Sequence, residues 1–349
     1  MKILMAGDWH SDVYEGPLTR TLRNLGHDVI EFKWYRYFRN KSPVKNVFNR
    51  IQNKFLLGPK VDKLNQDLIN LARATKPKLV FVFRGSHLRP ETIEEIKVAV
   101  PGIKVFGYNN DDPFSGWQPR YYWRHFIESL PVYDRALAFR NHNVSDYLQA
   151  GAKQADLFRA WFIPERHKPV ELSEKDRLKY GCDVTFVGHY EADGREKTLI
   201  KVIEDGTNFK LFGPEWDEVI EANPAMHKLR PVYPVQGPEY NKALNAAKIA
   251  LCFLSKINRD TYTIRCFEVP AIGTLLLSEY SDDLATLFKP GVEADYFKTP
   301  EECLDKVRFY LKNESIRQKV ALAGFERVHR DGQDIVSRAK QILRWVENS

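Results

Sequence analysis

Arg265 and Glu268 stand three residues apart at the start of a predicted helix, 263–271, so both project from one helix face. The helix follows a predicted strand at 249–254, stops at Gly273 and leads into another strand at 274–278. On a solvated face the two residues would form an ordinary ion pair. At the carboxyl edge of a sheet they could instead hold a nucleotide diphosphate. The arginine fork suits phosphate oxygens, and a glutamate can accept both ribose hydroxyls. A second constellation is Asn109-Asn110-Asp111-Asp112-Pro113, at the end of a predicted strand, 104–109. Asp111 or Asp112 could deprotonate an acceptor hydroxyl, although the same run also suits a capped turn before proline. Asp8 and His10 follow the first strand, and His10 could touch a bound sugar or serve structure alone. No His/Cys/Asp cluster has metal-ligand spacing, and no P-loop, Gly-x-Ser-x-Gly or Gly-x-Gly-x-x-Gly motif occurs. These absences argue against a zinc enzyme, an NTPase, a serine hydrolase and a nicotinamide dehydrogenase.

The elements that must position these residues alternate between apolar runs of strand length and helical patterns. Strands are expected at 2–6, 28–32, 78–84, 104–109 and 135–139, with helices at 18–25 and 61–74 between them. A polar stretch at 165–182 interrupts the pattern and reads as a linker. A second series follows, with strands at 183–187, 209–212, 249–254 and 274–278 and helices at 195–204 and 239–247. The expected fold is α/β, two doubly wound Rossmann-like domains facing a central cleft. The expected divisions are 1–164, the linker 165–182, 183–332, and a helix at 333–349 that crosses back to the first domain.

The chain has 349 residues and a formal net charge of +7. At 43% apolar and 28% charged residues it is composed as an ordinary globular protein. Its apolar runs are far shorter than the ~20 residues of a spanning helix, and the first seven residues cannot form a signal-peptide core. Four scattered cysteines read as reduced, buried thiols, which suits a cytoplasmic setting. The basicity is local. Residues 32–61 carry eight Lys and Arg, Arg36, Arg39, Lys41 and Lys45 among them, with no Asp or Glu, and Trp34, Tyr35, Tyr37, Phe38, Phe48 and Phe55 are interleaved with them. That segment reads either as a solvated loop and helix with a few aromatics docked on the domain, or as a surface that meets an acceptor or an anionic membrane, with nucleic acid as a rival partner.

Arg-x-Phe-Glu-x-x-Ala-x-Gly-x-Leu-Leu-Leu at 265–277 resembles the nucleotide-sugar motif of GT-B glycosyltransferases, particularly the CgeB-like (spore-maturation-protein-like) group. The broader families write this region as Glu-x7-Glu, and here Asp260 and Glu268 have that spacing. The resemblance extends over 183–345. Its opening, Phe186-Val187-Gly188 and then Gly194-Arg195-Glu196, is also similar to the T-even phage DNA β-glucosyltransferase. Tyr108 to Phe114 resembles the Asp-Asp-Pro turn of the CgeB-like proteins. The resemblance implies that Gly188 lets the backbone approach a donor, that Arg195 contacts its diphosphate, and that Glu268 binds its ribose. It further implies a metal-independent glycosyltransferase, a hexosyltransferase, with no cofactor beyond a nucleotide-diphosphate sugar as co-substrate, a UDP-sugar foremost. Inversion and retention both stay open. The expected acceptor is a glycan or lipid-linked hydroxyl in surface polysaccharide or glycoconjugate synthesis, reached at the inner membrane face by a peripheral enzyme. The alternatives are a DNA-modifying glycosyltransferase and a non-catalytic nucleotide-sugar-binding module.

Overall fold

A computed structural model describes residues 1–9, 11–39 and 43–348, with the side chains of 43–46 outside the description. The chain divides into two compact units, one formed by Met1–Arg159 with Ile335–Ser349, the other by Ala160–Asp334. Each is a parallel sheet covered by helices, the arrangement that strands apolar on both faces require.

In the first unit, strands β1 (Lys2–Gly7), β2 (Asp28–Lys33), β3 (Leu79–Phe83), β4 (Lys104–Asn109), β5 (Arg135–Ala138) and β6 (Ala155–Leu157) lie in the order β2-β1-β3-β4-β5-β6. Every ladder is parallel, with Met5 opposite both Glu31 and Phe81. All five residues of β3 are buried, as its unbroken Leu-Val-Phe-Val-Phe run anticipates. The strand order reverses at β1 and β3, so the crevice expected of such a sheet opens beyond their carboxyl ends. Asp8 and Trp9 leave β1 there, and Arg84 to His87 leave β3.

In the second unit, β7 (Cys182–Val187), β8 (Phe209–Phe212), β9 (Ala247–Cys252), β10 (Leu275–Glu279) and β11 (Asp295–Phe297) take the order β11-β10-β9-β7-β8. Here the reversal falls between β7 and β9. Gly188 follows β7, and the loop after β9 leads into the helix Arg265–Ile272. That helix ends at Gly273, whose φ of +88° is the left-handed stop a glycine permits.

The stretch 165–182 contains more than a tether. Ser173 and Asp176 form a reciprocal capping box on the helix Glu174–Tyr180. The Lys168 and Val170 amides donate to Asn241 and Asn245 in the second unit. The helix Ile335–Glu347 belongs to the first unit and packs on the helix Glu15–Asn24. The three-residue strands β6 and β11 carry too few residues for alternation to betray them, and neither was expected.

Candidate functional site

At the switch point of the second unit, Arg265 opens its helix and turns its guanidinium toward Gly188. A Cβ placed on Gly188 would lie 2.9 Å from Arg265 Nη2 and 2.7 Å from Phe186 Cζ. Only glycine admits this approach. The Arg265 guanidinium lies 5.8 Å from the Phe186 ring centroid, and its buried Nε has no hydrogen-bond partner. Burial disfavours its charge, but the neighbouring Cys252, Tyr240 and Glu268 hold its pKa above the ordinary arginine value. Beneath it the Cys252 and Cys266 sulfurs sit 3.7 Å apart. The Cys266 hydrogen bond and the arginine charge lower the Cys252 pKa to about 7.

Glu268 is 3% exposed and held from two sides. The Tyr240 hydroxyl donates to its Oε2, and His167 Nε2 stands 3.4 Å from its Oε1. His167 Nδ1 accepts the Ile163 amide at 3.0 Å. Its proton therefore resides on Nε2, facing the carboxylate. Burial, then the Glu268 charge, pushes the Tyr240 hydroxyl far above its ordinary pKa, so it stays a donor. Neither His167 nor Tyr240 stood out in the sequence. His167 comes from the expected linker, about 100 residues from Glu268, and no local pattern links them.

Two donor-site expectations look different in three dimensions. Arg195 is 3% exposed, and its guanidinium is spent internally. Nε and Nη2 donate to both Asp193 oxygens at 2.9 and 2.7 Å, and Nη1 donates to the His189 carbonyl at 2.9 Å. It shapes the turn after β7 and offers no free fork for a phosphate. Asp260 lies in the loop after β9, its amide bonded to the Ser255 carbonyl at 2.8 Å. It does not share the helix of Glu268, so the eight-residue spacing is not a helical one.

In the first unit, Arg84 bridges two carboxylates beyond β3. Its Nη2 lies 2.7 Å from Asp111 and its Nη1 3.5 Å from Asp8. Burial opposes its charge, but Asp111 and Asp8 hold its pKa above the ordinary value. Arg84 and Trp9, at the ends of the two switch-point strands, have φ of +66° and +55°. Non-glycine residues take this conformation only where the surroundings enforce it, and such strain gathers at functional sites. Behind them Glu15 is 1% exposed. Its Oε1 accepts the Trp9 amide at 3.0 Å, while its buried Oε2 has no partner. Burial, then the Asp8 charge, raises its pKa to about 7.

Asp112 is 1% exposed and knits its turn together. Its Oδ1 accepts the Phe114 amide and Asn143 Nδ2, both at 2.9 Å, and its Oδ2 is 3.2 Å from His142. Of the paired aspartates, Asp111 faces the charged cluster. Ligand atoms of Asp112, His142 and Asp146 lie within 4.8 Å of one another, a grouping invisible at 30-residue spacing. It is laced by Asn143, which also donates to Asp146 at 3.1 Å. His10 and Lys41 lie outside the described residues, as does the Lys45 side chain.

A pocket of 320 Å³ opens beyond β1 and β3. Asp8, Trp9 and His87 line it from the strand ends, while Trp34, Tyr35, Phe38, Arg39, Arg50 and Asn53 come from the basic aromatic segment. Arg39 thus meets the pocket, whereas Arg36 is exposed and lines none of it. Arg50 and Asn53 enter because the helix Pro43–Phe55 lays them there, a placement that charge counting could not foresee.

Residues 195–344 match the sequence model of a family described as glycosyl transferase-like. No match is found among curated proteins. Among solved structures, sucrose-phosphate synthase from Thermosynechococcus elongatus superposes with a TM-score of 0.74 at 12% identity, covering 100% of this chain and 98% of that one. Anabaena HepE in complex with UDP-glucose gives 0.67 at 12% identity, with 100% of both chains covered. A glycosyltransferase from Rickettsia africae gives 0.67 at 10% identity, covering 99% of this chain and 98% of that one. The chain therefore has the two-unit Rossmann-like fold of GT-B glycosyltransferases. The CgeB-like and phage groups do not figure among these likenesses.

Proposed function

We propose that this protein is a glycosyltransferase that moves a sugar from a nucleotide-diphosphate sugar to a hydroxyl acceptor. One observation carries the reading: at the switch point of the second unit, a guanidinium with no ion pair among the described residues stands beside a carboxylate braced by Tyr240 and His167. Arg265 would take the diphosphate oxygens and stabilise the negative charge that grows as the anomeric bond breaks. Glu268, fixed by its two donors, keeps lone pairs for the ribose hydroxyls. The match of residues 195–344 to a glycosyl transferase-like family supports this assignment. The UDP-glucose in the HepE complex supports a UDP-sugar as donor.

The acceptor hydroxyl would lose its proton to a carboxylate of the Asp8–Arg84–Asp111 cluster, with Arg84 keeping that carboxylate oriented. Arg265 would serve the leaving group as its cation, and the sugar transferred would be a hexose. The acceptor would be a glycan intermediate at an anionic membrane surface. Supporting that placement, the helix Pro43–Phe55 exposes Val47, Phe48 and Ile51 beside Arg50 and Lys54, the composition of a helix that lies in a headgroup layer. No helix among the described residues is long and apolar enough to cross a membrane.

Calorimetric titration with UDP and UDP-glucose tests the donor site. Arg265→Ala and Glu268→Ala are each expected to weaken binding by about 10–100-fold, the loss of a charge-assisted contact worth ~1.5–3 kcal/mol. Unchanged affinity in both variants would sink the assignment.

A further inference from the structure

The pocket beyond β1 and β3 has an unbalanced chemistry. Its volume of 320 Å³ lies at the lower end of small-molecule sites, about 300–1,000 Å³. Trp9, Tyr35 and Phe38 line it with half-buried rings, the kind of side chain on which the C–H faces of a pyranose pack. Two guanidiniums join them. Arg39 lies 4.7 Å from the Tyr35 ring centroid, and neither Arg39 nor Arg50 has an ion pair among the described residues. No acid occurs between residues 32 and 61 to neutralise them. The pocket's one carboxylate, Asp8, lies 3.5 Å from Arg84. His87 adds no charge, because burial drives its pKa down to about 3. Its Nε2–H is directed at Asn53 Oδ1, 2.8 Å away, which fastens the helix Pro43–Phe55 to the strand end. The wall is thus anchored and cationic, and the rest of the lining is aromatic rings with Asp8, Asn53 and Ser86 among them.

We propose that this pocket binds the acceptor as a phosphorylated saccharide, its phosphate held by Arg39 and Arg50 and its hydroxyl turned toward Asp8. The proposal rests on the glycosyltransferase reading for the word acceptor, but the binding chemistry stands by itself. Arginine forks match phosphate oxygens in geometry as well as charge. The phosphate could belong to a free sugar phosphate or to a lipid whose headgroup is a phosphate-linked sugar. Both present the same group to the same wall.

The intact protein is titrated with glucose, glucose 6-phosphate, glucose 1-phosphate and inorganic phosphate. Separately it is titrated with neutral phosphatidylcholine vesicles that carry or lack a polyprenyl-phosphate-linked glucose. The expected result is that at least one phosphorylated sugar, free or lipid-borne, binds tenfold or more tightly than glucose and than inorganic phosphate. Arg39→Ala with Arg50→Ala should abolish that preference and leave UDP affinity unchanged. Arg39→Lys should restore part of it. Binding of the free sugar phosphates identifies a soluble acceptor, and binding confined to the loaded vesicles identifies a lipid-borne one. Equal affinity for glucose and its phosphates, binding of none of these probes, or a preference that survives the double variant would each overturn the proposal. A protein that binds the phosphorylated sugar but no nucleotide sugar would retain the pocket and lose the glycosyltransferase reading. One that transfers sugar to neutral acceptors as readily, with both arginines replaced, would do the reverse.

Discussion

Glu15 carries a prediction that belongs to a single residue. Its carboxyl is buried against the Trp9 amide, with Asp8 raising its pKa and Arg84 only partly offsetting that. In the folded chain it titrates near 7, against an ordinary glutamate value of 4.5. The folded state therefore holds the proton more tightly than the unfolded one. Stability from this group is fully present below pH 4.5 and is lost as pH rises through 7. The span amounts to ~3 kcal/mol at 1.36 kcal/mol per unit. Glu15→Gln removes the titration. Urea denaturation at pH 4.5 and pH 8 should show the variant gaining on the parent by about 2–3 kcal/mol across that interval, whereas a constant gap would contradict the raised pKa. The braces on Glu268 make a different claim. Tyr240→Phe deletes one donor to a buried carboxylate, and UDP affinity should fall by roughly 5–10-fold, measured by calorimetry. Arg265 and Glu268 could be singled out as candidates from their types and spacing. The braces could not, because His167 and Tyr240 meet Glu268 only through packing.

At the scale of elements, the close approach of the helix Arg265–Ile272 to the end of β7 depends on Gly188. The obstacles to a Cβ there are the far ends of two side chains, the Phe186 ring and the Arg265 guanidinium. Gly188→Ala should therefore fold, displace the arginine and weaken UDP binding by about tenfold, with a change in Tm of only a few degrees. The helix Pro43–Phe55 makes a surface prediction. Phe48 is 68% exposed on a helix whose neighbouring charges are basic. Phe48→Asp with Ile51→Asp should reduce co-sedimentation with phosphatidylglycerol vesicles by more than tenfold and leave UDP binding untouched. Retention equal to that of the parent would remove the membrane from the proposed function. Most strands and helices were legible because their apolar periods are long and their ends are marked by Pro and Gly. Arg195 was legible as an arginine at a helix start but not as an arginine already spent on Asp193. Its partner lies two residues away in a turn whose path the sequence does not display.

At the scale of the whole molecule, the helix Ile335–Glu347 returns to the first unit after the second is complete. Ile342 is fully buried there, and Arg135 lies 5.0 Å from the Trp345 ring centroid. Ile342→Ala should cost ~2–5 kcal/mol and lower the melting of the first unit. UDP, if it binds the proposed donor site in the second unit, should raise the melting of that unit by mass action. Calorimetric melts with and without UDP would separate the two effects. A single transition shifted equally by both would mean that the units unfold together.

By itself the sequence determined the α/β class and the alternation of strands and helices, and it singled out the Arg265–Glu268 pair as the candidate donor site. These follow from local periodicity and from residue chemistry, both of which a linear chain displays. Only the tertiary structure decided which charges are already neutralised and which stand open. Arg195 is closed by Asp193, Asp112 by its own turn together with His142 and Asn143, and Arg84 by two aspartates, while Arg39 and Arg50 face a pocket without an ion pair among the described residues. Charge pairing and burial depend on distances through space, and folding brings together residues such as His167 and Glu268 that the sequence keeps apart.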